Sequence, residues 1–307
     1  MQTTKRATTN TTVSNMSMMT KTVLAPLTAA LIFLAAPAAR AGQGSSPGAI
    51  QRAIASGSVD AISAELERAE RLRCEACVKM VRPLVDHEDG RIRRVATWWL
   101  ARRGLRSELF VEMALRLAQP DSALARNAAD VLGSLRHPMA QEPLGAALNN
   151  PLFDAEARAS MAAALGRIGD PAAAPALKSA THAELAPVRA AALAALRELR
   201  GPIDATLALG LLSDGDAGVR SEAIYTIGAS RGLALAPEQA TAVVEGLVRV
   251  LGNDSEAGVR KKAAWALGEL GLGAELAGPA LAEAARTDAD PAVRSLAQAA
   301  FARLGQR

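Results

Sequence analysis

Few side chains in this 307-residue chain could do chemistry. The first candidates are Cys74 and Cys77, in the run Cys74-Glu75-Ala76-Cys77, and they are the only cysteines. Two thiols at this spacing suit several kinds of site. Covalent haem needs a His directly after the second Cys, and Val78 stands there. A structural zinc takes four ligands, and His87 would add only a third. A catalytic dithiol sits at a helix start that follows a strand; a helix start fits, but no strand pattern precedes it. The remaining readings are two buried thiols or a local disulfide in an oxidising compartment, whose short loop gains little chain entropy. We expect the Cys74–Cys77 disulfide, with a redox or cofactor-associated role as the alternative.

Other reactive groups are scattered. The three histidines are His87, His137 and His182. There is no Gly-rich phosphate loop, no nucleophile elbow and no metal-ligand motif of usual spacing. The sequence therefore implies no catalytic residue, no metal and no cofactor; what remains is a binding surface and the elements that would position it.

Those elements repeat. Glu256 to Gly271 reads Glu-Ala-Gly-Val-Arg-Lys-Lys-Ala-Ala-Trp-Ala-Leu-Gly-Glu-Leu-Gly. With Arg260 as position zero, the frame recurs at Arg93, Ala125, Arg158, Arg189, Arg220 and Arg294, at spacings of 31 to 40 residues. A period of this size marks a solenoid. Positions −1, +3, +7 and +10 share one helix face. An acidic residue at −4 (Asp89, Asp121, Asp154, Asp216, Glu256, Asp290) suits an N-cap. Pro291 at the first helical position strengthens the last of these starts. Gly104, Gly169, Gly201 and Gly271 would close four helices in the left-handed conformation. Each copy leaves room for an earlier helix, as in Met139–Leu148, Ala173–Ala180 and Glu238–Leu251.

The Asp-x-x-Val-Arg-x-x-Ala-x-x-x-Leu-Gly-x-Leu-Gly pattern resembles the HEAT-like repeat of phycobilisome lyases and covers roughly residues 74–307. The resemblance implies an all-α fold: a right-handed α-solenoid of about seven HEAT-like helical pairs, with second helices lining the concave side. Such repeats serve scaffolds, adaptors and a few enzymes. Deoxyhypusine hydroxylase, one such enzyme, binds iron through several His-Glu pairs, and only His87-Glu88 matches here. His87 and His182 lie three repeats apart; with helices packed about 10 Å apart, they could not share a metal. No residue points to bilin binding, so a repeat-type lyase or hydroxylase stays an alternative.

Two recurrent positions carry the surface argument. Position +5 lies roughly 150° around the helix from the core face and holds Trp98, Asp130, Ala163, Ala194, Tyr225, Trp265 and Ala299. Three of the four Trp and Tyr residues fall there, and exposed aromatics are candidate contact hot spots. Arg94, Arg102 and Lys261 flank them, with Glu269. The alternative is that each aromatic packs on the adjacent repeat. The Arg at position zero should form a ladder, hydrogen-bonding a loop Asp or carbonyl of its own or the next repeat. Arg71–Arg106, with ten basic residues against Glu75, Asp86, Glu88 and Asp89, reads as a solvated helix face with one of Trp98 and Trp99 in the core. Its alternative is an end that docks an acidic partner or a membrane surface.

The N-terminal segment is different in kind. Residues 1–41 carry Lys5, Arg6, Lys21 and Arg40 and no acidic residue, then an apolar run and Ala39-Arg40-Ala41. This is a secretory signal-peptide pattern, with an uncleaved anchor as the alternative. Removing it takes the chain from 35 basic and 31 acidic residues to 31 of each. Formal neutrality argues against general nucleic-acid binding. Residues 42–73 read as a flexible lead-in and an N-terminal helical cap, with helices at Pro47–Ala55 and Val59–Arg71. The expectation is an exported, periplasmic or secreted, non-catalytic scaffold or adaptor for a protein partner. No nucleic acid is implied, and the membrane is touched only through an uncleaved leader.

Overall fold

The computed structural model describes residues 44–199, 205–229 and 235–305. The leader, Gly201 and Ser230 lie outside the described residues. Every regular element among the described residues is helical. Two helices, α1 (Pro47–Ala55) and α2 (Val59–Arg68), precede the repeats. Ser46 and Ser58 cap them, and Ile50, Ile62 and Leu66 seal them onto the core.

Seven pairs follow: α3 (Glu75–Val81) with α4 (Gly90–Leu100), α5 (Arg106–Leu117) with α6 (Ser122–Leu135), α7 (Gln141–Leu148) with α8 (Ala155–Ile168), α9 (Ala174–Ala180) with α10 (Ala186–Glu198), α11 (Ala205–Leu211) with α12 (Ala217–Ala229), α13 (Pro237–Asn253) with α14 (Ala257–Leu270), and α15 (Ala274–Thr287) with α16 (Pro291–Leu304). Second helices pack on second helices in unbroken order from α4 to α16. This is an all-α solenoid with the repeat frame of the sequence.

The caps follow the frame with instructive exceptions. The side chains of Asp89, Asp121, Asp154, Asp216 and Asp290 accept the first backbone N–H groups of their helices. Glu256 makes no side-chain cap; its extra methylene carries the carboxylate past the reach that favours Asp. Gly104, Gly169 and Gly271 take positive φ of 82°, 74° and 63°, as helix-closing residues should. In the second copy Arg136 takes that role at φ 47°.

The +7 residues Leu100, Leu132, Leu165, Ile227 and Leu267 are buried, and Leu196 is partly so. Phe301, at the same position in the last described copy, is 47% exposed. The neighbouring +4 position is buried in Thr97, Ala129, Ala162, Leu193, Ile224 and Ala264, and becomes exposed Gln298 in that copy. This side of α16 thus presents Gln298 and the Phe301 ring where earlier copies bury theirs against the following second helix.

Glycine at +8 sets the spacing between repeats. A Cβ on Gly133 would lie 2.8 Å from the Ala164 Cα, and one on Gly268 2.9 Å from the Ala300 Cβ. The missing side chain lets second helices approach over small +6 residues of the next copy. No described helix is long and apolar enough to cross a membrane.

Candidate functional site

The Arg ladder is the most regular polar feature. Arg189, Arg220 and Arg260 each send Nε and Nη2 to Asp214, Asp254 and Asp288 in the next repeat, at 2.7–2.9 Å. The Nη1 group of each donates to two carbonyls of its own turn, as with Ala183 and Glu184 for Arg189. Each Asp also accepts the backbone N–H two residues on. These forks hold the Asp214 and Asp288 carboxyls below their ordinary range. At Asp254 burial pushes the other way, and the Arg220 fork outweighs it. The recurrent Arg thus staples repeats together. The acidic residue at −6 that completes it is legible in sequence but was not part of the frame.

The first repeats use a different device. Arg93 donates Nε to Asp130 at 3.1 Å and Nη1 to the carbonyls of His87 and Glu88. Asp130 is a +5 residue, yet it is 6% exposed and also receives Arg167 at 3.1 Å. Arg158 reaches only the Leu148 carbonyl.

The two tryptophans of α4 divide as their spacing implies. Trp99 is fully buried and donates Nε1 to the Ala69 carbonyl. Arg103, at the +10 position where Leu135, Leu199 and Leu270 are buried in other copies, lies over the Trp99 ring at 3.1 Å. It donates to the carbonyls of Trp99, Ala69, Glu70 and Leu72. Burial, then the charge of Arg102, brings its pKa down to about 10.

Trp98 is half-buried on the other face, with the Arg102 guanidinium 4.9 Å from its ring centre. Arg102 also pairs with Glu70 at 2.8 Å. Arg94, one turn earlier, is exposed and has no hydrogen bond or ion pair to any described residue. Trp98, Arg94 and Arg102 therefore form one cluster at the α2–α4 junction.

The second aromatic cluster spans three repeats. Tyr225 and Trp265 stack at 5.5 Å with planes 19° apart. Arg197 covers Tyr225 at 4.5 Å and pairs with Glu222. The Trp265 ring lies over Gly228, where a Cβ would come within 2.5 Å of it. These rings pack on adjacent repeats while Tyr225 stays 43% exposed. Lys261 is exposed, one turn before Trp265, and without a partner among the described residues. Arg197 was missed from sequence; its signal is a charged residue at +8, where four copies have Gly.

Cys74 and Cys77 are joined by a disulfide, with Cα atoms 5.2 Å apart. The Cys74 sulfur accepts the Cys77 N–H at 3.0 Å and caps α3. Cys77 is fully buried and Cys74 partly exposed.

A family model described as HEAT repeats matches residues 110–197 and 205–302, more than half of the chain. The chain belongs to the HEAT-repeat family. That match does not single out the phycobilisome lyase type of HEAT repeat. No curated protein matches. Among solved structures, the Escherichia coli protein YibA is 15% identical over 83% of this chain and 91% of its own, at a TM-score of 0.52. An engineered protein is 19% identical over 80% and 71%, at 0.50. Human deoxyhypusine hydroxylase is 19% identical over 85% and 98%, at 0.36, too low to carry an argument. At these identities the likeness concerns the HEAT fold alone.

Proposed function

We propose that this HEAT-repeat protein is an exported, non-catalytic scaffold or adaptor that binds a protein partner through its second-helix face. Stacked repeats present extended surfaces suited to this task. The observation that carries the reading is the pair of clusters on that face. Half-exposed aromatics at α4 and at α12–α14 stand beside Arg94 and Lys261, cations the fold itself does not use. Cation-flanked aromatics are strong contact anchors. Export is supported by the basic-apolar leader with its Ala-x-Ala site and by a disulfide, which persists in oxidising compartments.

The test is capture of partners from the exported fraction by the wild type and by Arg94→Glu and Lys261→Glu. Capture of the same protein should fall at least tenfold in both variants, with unchanged thermal unfolding followed by circular dichroism. Undiminished capture in both would overturn the reading.

A second reading rests on the disulfide. A partly exposed Cys74 and a buried Cys77 at this spacing suit thiol exchange with a partner. Equilibration with glutathione followed by mass spectrometry tests it. A pair that resists reduction in the glutathione buffer would mark the bond as structural.

A further inference from the structure

The cap helix α2 and the first-repeat helix α4 leave an open groove of roughly 630 Å³ between them. Ser63, Glu67 and Glu70 form the α2 wall, Arg91 and Arg94 the α4 wall, and Val95 and Trp98 lie along it. The volume falls within the range of ligand pockets, about 300–1,000 Å³.

The charges of this groove are not equally engaged. Glu70 pairs with Arg102, and Arg91 pairs with Asp89 at 3.0 Å and with Asp60 at 3.7 Å. Glu67 on one wall and Arg94 on the other have no hydrogen bond or ion pair to any described residue, including each other. A carboxylate and a guanidinium thus face one groove from opposite walls, each with its hydrogen-bonding capacity free. Trp98 offers a ring on which an aliphatic stem can lie.

We propose that this groove binds an extended peptide segment carrying one basic and one acidic side chain close together in sequence. The basic group pairs with Glu67, the acidic group with Arg94, and the stem between them crosses Trp98. The two fixed charges set the orientation of the segment, because reversing it would place like charges together on both walls. The groove opens on the second-helix face, so this inference rests on the protein-binding reading and names the chemistry of one end of it. It also gives the cap a role beyond sealing the core: α2 supplies the anionic wall.

The test is isothermal titration of the full disulfide-bonded chain with three blocked synthetic peptides. Their central residues are Lys-Ala-Asp, Lys-Ala-Lys and Asp-Ala-Asp. The mixed peptide should bind at least tenfold more tightly than either like-charged one. Glu67→Gln should weaken the mixed peptide about tenfold and move the preference toward the acidic peptide; Arg94→Gln should move it toward the basic one. The double reversal Glu67→Arg with Arg94→Glu should keep the preference for mixed charge. Neither side chain has a partner among the described residues, so these variants should fold normally. Equal affinity for the three peptides, no binding, or preferences unmoved by the variants would overturn the proposal. If Lys261→Glu loses partner capture while the peptides fail, the groove assignment falls and the face-wide reading stands. If the peptides bind as expected and capture is lost with Arg94→Glu but unaffected by Lys261→Glu, the groove assignment stands and partner binding is confined to this end of the face.

Discussion

The first three repeats and the last four solve one problem differently. In the later repeats a turn carboxylate at −6 meets the Arg of the preceding repeat, giving the series Arg189–Asp214, Arg220–Asp254 and Arg260–Asp288. In copies two to four the −6 residues are Gln119, Leu152 and Ala183, which carry no charge. There Arg93 turns to Asp130, a helix residue of the next repeat, and Asp130 binds Arg167 one repeat further on. The ladder couples neighbours through identical short links near the surface of the turns. The Asp130 cluster couples three repeats through one buried carboxylate. The contrast teaches that coupling needs a carboxylate within reach of the Arg fork, whichever element supplies it.

The largest test of this contrast is Asp130→Ala. It would leave Arg93, 4% exposed, without its counter-ion and would release Arg167 as well. Breaking a buried pair from one side costs about 3–5 kcal/mol, so urea unfolding should show a loss of that order. A loss near that of an exposed ion pair would mean that water reaches Arg93.

Next comes the contact both halves share. Gly133→Val and Gly268→Val should each cost about 1–3 kcal/mol by overpacking, since each position faces the next helix at close range. Similar values in the two halves would confine the difference between them to their polar links. A much smaller cost at Gly268 would show that the α14–α16 spacing gives more easily.

The smallest effect belongs to one rung of the ladder. Asp254→Asn should cost about 0.5–1.5 kcal/mol at neutral pH, the net range for a hydrogen bond, because Asn keeps one acceptor oxygen for the fork and Nη1 of Arg220 keeps its carbonyls. Acid sharpens this. The folded pKa values of Asp214, Asp254 and Asp288 lie below the ordinary 3.8. Their contribution is therefore fully present above that value and is lost as pH falls through the folded values. The variant should show a shallower loss of stability below about pH 4 than the wild type. Parallel acid curves would remove Asp254 from the acid transition.

What the sequence determined by itself was the repeat and its register. A residue three to four places along a helix returns to the same face, so −1, +3, +7 and +10 announced the buried stripe before any packing was known. The Asp caps and positive-φ glycines were legible for the same local reason, and Glu256 departed from them because one methylene changes a cap's reach. The Arg ladder was legible as a class of contact, but its partners were not, because each lies 25–34 residues away. Tertiary structure alone decided that Asp130, on the face expected to be outward, is buried between two guanidiniums. It alone stacked Tyr225 on Trp265 and left Arg94 and Glu67 unengaged. Periodicity says which way a side chain points from its own helix; what it meets depends on how far the next helix stands, and that distance is fixed by contacts between repeats.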